Sequence, residues 1–213
     1  MPEELFIHQS GACLLGEKGQ EISDLKEGVS RSARRRMTAN ALMIHYALRE
    51  MDLSTFRTVV YQTEYSELRT LEQYVDGFPE PSPLRFQASI HPSGLEQVFI
   101  AAQCPIERFF PLADANSPLA AIQCLDIAGG EGLIVFAEES GTWLLEAGLA
   151  SAFSFAAALS LSRSEENAIG RLQWSKDSIA LPGENIIAFT RAIQDRTPWT
   201  SRQTEAKLTL EWR

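Results

Sequence analysis

A chain of 213 residues with 45% hydrophobic and 22% charged side chains is long and apolar enough for one sizeable folded domain, which excludes a disordered chain. Its formal net charge of -9 excludes a phosphate-contacting nucleic-acid binder, whose surface must be basic. Three cysteines, at 13, 104 and 124, give neither a disulfide framework nor a paired metal-ligand spacing, which fits a reducing cytoplasm. Residues 1–20 lack a basic start followed by an apolar core, so no signal peptide is expected. No apolar run reaches the ~20 residues needed to span a bilayer.

Leu5–Ser10 predicts a short first strand, with Gly11 and Gly16 bracketing the turn after it. Met37, Ala41, Ile44, Leu48 and Met51 recur at helical spacing, and Ser30 or Ser32 is placed to cap that helix. Thr58–Thr63 is β-branched and aromatic, the composition of a buried strand. Glu64–Val75 reads as a helix with Leu68, Leu71 and Val75 on one face, closed by Gly77 and Pro79. Pro79, Pro81 and Pro83 predict a stiff extended bend leading into a strand at Phe86–Ile90. Ser93 or Gly94 then opens a helix carrying Leu95, Val98, Phe99 and Ala102, ended by Pro105.

Phe109–Ala113 predicts a buried strand, Asp114–Pro118 a sharp polar elbow, and Pro118–Ala128 a helix capped by Ser117 with Pro118 in its first position. Gly129 and Gly130 stop that helix, a second apolar strand begins near Gly132, and Phe153–Leu161 forms a further apolar strand. Lys207–Trp212 alternates like an edge strand. The order predicts an α/β fold with a mostly parallel sheet flanked by helices. Residues 165–213 differ in character and read as an extension of a unit spanning 1–164. There is no internal repeat.

The helix 118–128 is apolar nearly all the way round, interrupted only by Gln123 and Asp126, which requires cover on both sides. A sheet supplies one cover. The other is either the segment 165–213 or a second protein chain.

A strand, a tight elbow and a buried helix together present a nucleophile, but this elbow holds only Asp114, Asn116 and Ser117 as polar side chains. Ser117 would need a base within hydrogen-bond reach, and the GxSxG pattern is absent, which leaves helix capping as its other role. His91, in SIHPS, is either that base, a pocket-lining group or a histidine bonded to a turn. His45 and His8 fall within a helix and a strand as structural residues, and the scatter of the three histidines yields no metal set. Cys104 and Cys124 lie on apolar faces and are expected to be inert. Arg31, Arg34, Arg35 and Arg36 cluster at a helix N-terminus, where the helix dipole disfavours cations; the cluster is a solvated face or docks an acidic partner. Glycines 129, 130 and 132 form no nucleotide-binding pattern, and no cofactor is expected.

The ordered segments LFIHQSGACLLG, RMTANALMIHYALRE, FRTVVYQTEYSELRT, DANSPLAAI, GLIVFAEES and FSFAAALSLS resemble the N-terminal half of β-ketoacyl synthases, enzymes of the thiolase fold. The resemblance covers residues 5–163. SPLRFQASIHPSG more narrowly resembles the short chain length factors of aryl polyene and related polyketide or fatty-acid-like pathways, although Pro92 stands where an SVHN-like motif has Asn. The resemblance sets Ala115 at the position of the family's nucleophilic Cys and matches Ser117 to the serine that follows it. Ala115 forms no thioester, and residues 165–213 are too few to rebuild the second half that carries the family's histidines.

The resemblance therefore implies a non-catalytic subunit that pairs with an active ketosynthase and shapes its acyl tunnel. Phe86, Phe99, Phe109 and Phe110 are the candidate tunnel residues, with plain core as the other reading. Arg31, Arg34, Arg35 and Arg36 are the candidates for docking an acyl carrier protein. The rival readings are a small acyltransferase or hydrolase using Ser117 with His91, and a carrier-docking scaffold.

Overall fold

A computed structural model describes residues 3–16, 21–113, 117–175, 186–201 and 208–213. In chain order the elements are β1 (Glu3–Leu14), α1 (Arg31–Arg34), α2 (Ala39–Leu48), β2 (Thr58–Thr63), α3 (Leu68–Val75), α4 (Pro83–Ala88), α5 (Ser93–Ala102) and β3 (Arg108–Ala113). Then follow α6 (Pro118–Ile127), β4 (Gly132–Glu138), α7 (Trp143–Glu146), β5 (Phe155–Ser162), β6 (Gly170–Trp174), α8 (Ile186–Asp195), β7 (Trp199–Thr200) and β8 (Leu208–Trp212). The strands form one sheet in the order β3-β2-β4-β5-β1-β6-β8-β7.

The fold is α/β with a mixed sheet flanked by helices, as expected, but the expected parallel majority is corrected. Among the described strands only β3, β2 and β4 pair in parallel, and every other strand pairing is antiparallel. A strand buried on both faces reads as a continuous apolar run whichever way its neighbour points, so composition carried no information on direction.

β2 and β4 are buried at every position because helices cover both faces of the sheet. Val60, Ile134 and Phe136 point into one core layer with Leu119, Ile122 and Leu125 of α6 and Phe189 and Ile193 of α8. Val59, Tyr61, Leu133 and Val135 point into the other, with Met43 and Ile44 of α2 and Leu95 and Phe99 of α5.

Several local expectations shift. β1 runs through Gly11, where an added Cβ would lie 1.9 Å from the Ala47 carbonyl oxygen, so glycine is there to let α2 press against the strand. The turn falls later, at Gly16, whose φ is +78°. Thr38, accepting from Ala41 N at 3.0 Å, caps α2, while Ser30 caps the separate α1. The strand expected at Phe86–Ile90 is replaced by α4, because Ser82 caps it through Arg85 N and Pro83 suits its first turn. β3 is an edge strand with half-exposed side chains, not a buried one, which is where Pro111 is tolerated. β8 lies one strand in from the edge, and the two-residue β7 takes the outer place.

Residues of the 165–213 segment continue the same sheet, and α8 packs over β1 and β5 with Phe189 edge-on to Phe136 at 5.8 Å. That covers the sheet beside α6. The inner side of α6 is buried, yet Ile127 at its end is 87% exposed and Cys124 is only half-buried. No helix among the described residues is long and apolar enough to cross a membrane.

Candidate functional site

The parallel strands β2 and β4 end side by side, and crevices at the carboxyl ends of such strands are where α/β sheets gather chemistry. Here they gather four buried carboxylates. Glu138, at the end of β4, accepts from Thr63 Oγ1 at 2.9 Å, from Tyr65 N at 3.0 Å and from Glu64 N. Glu139 accepts from Asn40 N at 2.7 Å and Thr70 N at 3.2 Å. Glu67 accepts from Gly94 N at 2.5 Å and from Asn40 Nδ2 at 3.1 Å, and the Ser66 hydroxyl donates to its other oxygen. Glu72 accepts from Thr142 N at 2.7 Å, Thr142 Oγ1 at 2.8 Å and Leu144 N at 3.0 Å, with Arg69 beside it at 3.3 Å. Glu138 thus pins the loop N–H groups after β2, while Glu139, Glu67 and Glu72 satisfy N–H groups at the starts of α2, α3, α5 and α7, donors that burial would otherwise leave unpaired.

Burial and hydrogen bonding pull these groups in opposite directions. Burial pushes Glu67 up to about 8, over the opposing hydrogen bonds from Gly94 and Asn40. It pushes Glu138 up to about 7 and raises Glu139. Burial acts the same way on Glu72, but donation from Leu144, Thr142 and Arg69 outweighs it, and this carboxyl falls below its ordinary value. The cluster was missed at the sequence level. Its one visible signal is an acidic pair, Glu138-Glu139, directly after a strand apolar at nearly every position.

Of the expected site residues, Ala115 lies outside the described residues, as do Asp114 and Asn116. Ser117 caps α6, its hydroxyl accepting from Leu119 N at 3.3 Å, and its carbonyl accepts from Gln62 Nε2 at 2.9 Å. His91 stacks on Tyr61 at 5.2 Å, and its Nδ1 lies 3.3 Å from Ser66 Oγ. Tyr61 and Gln62 are successive residues of β2 and point to opposite faces of the sheet. Ser117 and His91 therefore sit on opposite faces, and the pairing expected between them is corrected.

The four phenylalanines do not converge either. Phe99 and Phe109 belong to the α2–α5 core layer and Phe110 to the α6–α8 layer. Phe86 is 49% exposed and packs against Tyr74 at 5.3 Å. Arg31, Arg34, Arg35 and Arg36 are all exposed, and Arg34 Nε donates to the Val29 carbonyl at 2.6 Å. Beside them a cavity of about 440 Å³ is lined by Val29, Ala33, Met37, His45, Val98 and Cys104 among others. A second cavity, of about 530 Å³, opens at the far end of the sheet, where His8 bonds Ser162 Oγ at 2.8 Å. Burial raises the Cys124 thiol and lifts Cys13 to about 12, which leaves both as protonated thiols. Among the described residues no group of histidines, cysteines and carboxylates could hold a metal ion.

No protein-family model matches the chain, and no curated protein matches its sequence. Among solved structures it is similar to a chain of the ketosynthase ApeO in complex with its chain length factor ApeC from Xenorhabdus doucetiae. The TM-score is 0.67 at 16% identity, over 98% of this chain and 99% of that one. Weaker similarities reach an HMG-CoA synthase complexed with CoA (TM-score 0.48, 12% identity, 96% of this chain and 50% of that one). They also reach PksG, an HMG-CoA synthase from Bacillus subtilis (TM-score 0.44, 10% identity, 86% of this chain and 48% of that one). The end-to-end correspondence with the first of these gives this chain a thiolase-like fold.

Proposed function

We propose that the chain is a non-catalytic, chain-length-factor-like subunit. It pairs with an active β-ketoacyl synthase in the cytoplasm and shapes the acyl tunnel of an aryl polyene-like polyketide or fatty-acid-like pathway. In this reading residues 1–164 correspond to the N-terminal half of a synthase and 165–213 stand in for the missing half. Ala115 occupies the nucleophile position, and Phe99 and Phe109, which share a core layer, are the better placed of the four tunnel candidates.

The observation that carries the reading is an open flank. Among the described residues β3 ends the sheet with no strand on its outer edge, and its Phe110 and Leu112 pack into the same cluster as α6, whose Ile127 is left in solvent. A strand edge and a helix end exposed together fit a partner chain. The correspondence in length with a chain from a ketosynthase–chain length factor complex supports the same reading.

Tagged chain co-expressed with a ketosynthase is expected to retain it on affinity purification. A stable monomer that never retains a synthase would overturn the proposal. Docking of an acidic acyl carrier protein at Arg31, Arg34, Arg35 and Arg36 is part of the proposal, and reversing those charges should abolish carrier binding.

A further inference from the structure

His91 has a serine partner, and it is not Ser117. We propose that Ser66 and His91 form a nucleophile–base pair that accepts an activated acyl group, an ester or a thioester, and hydrolyses it.

The geometry around Ser66 and His91 carries this. Ser66 sits in the turn between β2 and α3, at the carboxyl end of a parallel strand, and its φ is +49°, a conformation non-glycine residues adopt at a cost. Two bonds hold it there: its N–H donates to Thr63 Oγ1 at 2.7 Å, and its carbonyl accepts from Glu139 N at 3.2 Å. Its hydroxyl is shared between Glu67 and His91 Nδ1, the latter at 3.3 Å, within the reach expected of a resting nucleophile and its base. Among the described residues His91 Nε2, itself buried, has no hydrogen-bond partner. The imidazole is thus tied to the protein through Ser66 and stacked on Tyr61, with one nitrogen uncommitted. Ser66 itself is 6% exposed and follows exposed Glu64 and half-buried Tyr65 in the chain, the side from which an acyl group would approach. Ile90, next to His91, is 50% exposed and offers apolar surface to an acyl chain.

The chemistry balances with water as the only co-reactant. Rotation of the hydroxyl hydrogen away from Glu67 points it at Nδ1. Ser66 Oγ bonds the acyl carbon while its proton passes to His91. The carbon–sulfur or carbon–oxygen bond breaks, and the leaving group takes that proton. Water then attacks the ester through the same base, the Oγ–carbon bond breaks, and Ser66 recovers its hydrogen. Burial lowers the His91 pKa below 6.5, so the imidazole is a free base at neutral pH.

The inference is independent of the pairing reading, in which non-catalytic means without condensation chemistry at Ala115; hydrolysis at Ser66 is compatible with pairing, and its failure leaves that reading untouched. The full chain is incubated with a fluorophosphonate and, separately, with a short-chain acyl thioester of N-acetylcysteamine, and the adduct is mapped by peptide mass spectrometry. The expected result is an adduct on Ser66 that survives Ser117→Ala and falls by about 10²–10⁴-fold in His91→Ala. On the unmodified chain the labelling rate is expected to fall as pH drops, with a midpoint below 6.5. No serine adduct, an adduct on Ser117, or thioester hydrolysis unchanged in Ser66→Ala would overturn it.

Discussion

Glu67→Gln tests the account of the buried carboxylates most sharply. The ordinary glutamate value of 4.5 rises to about 8 in the fold because burial outweighs the donors around it. A carboxyl raised in this way favours folding in its protonated form. Its contribution is intact below pH 4.5 and is lost as pH rises through about 8. At about 1.36 kcal/mol for each pH unit between those values, the loss is on the order of 5 kcal/mol, a large share of a domain's stability.

Glutamine keeps the acceptor facing Gly94 N and Asn40 Nδ2, places an N–H toward Ser66, and cannot ionise. Urea unfolding of both proteins from pH 5 to pH 9 is the assay. The variant is expected to match the parent within about 1 kcal/mol at pH 5 and to exceed it by several kcal/mol at pH 9. Glu138 and Glu139, raised by the same burial, titrate in both proteins, so the difference between the curves reports Glu67 together with its charge coupling to Glu139. Parallel curves across that range would refute the reasoning.

Other substitutions probe the packing. Gly11→Ala drives a Cβ into the Ala47 carbonyl and should cost about 2–3 kcal/mol by thermal or urea unfolding; a neutral result would show that α2 does not press on β1 as described. Phe189→Ala empties a fully buried site between Phe136 and Trp199 and should cost about 3–5 kcal/mol, whereas a surface-like effect would mean α8 is not integral to the core. Ile127→Lys should leave the isolated chain within about 0.5 kcal/mol of the parent, because the side chain is exposed, and yet weaken capture of a synthase.

Elements whose local chemistry agrees with their tertiary setting could be read from the residues alone. Ser117, Pro118 and the glycine pair 129–130 bracket α6 because caps and breakers act within a few residues. Thr58–Thr63 and the run from Gly132 read as strands because both of their faces are covered. At residues 79–90 the same local reasoning misled: three prolines suggested extended chain, while Ser82 and Pro83 were placed to start a helix. Strand direction was invisible because apolar runs carry no arrow. The carboxylate cluster was hidden for a different reason. Nothing in YSELRTLE or FAEES marks its charged residues as buried, and only the alignment of β2 with β4 shows backbone N–H groups converging on them. Ser66 and His91, 25 residues apart, meet only because the link between α4 and α5 lays His91 over Tyr61.

In the proposed function the β3–α6 flank is the pairing surface. The most direct measurement is the solution mass, by size-exclusion chromatography with light scattering, of the chain co-expressed with a ketosynthase, with and without Ile127→Lys. A mixed complex containing both chains, dissociating in the variant, is expected. A chain of monomer mass in both samples, or a complex indifferent to the substitution, would contradict it.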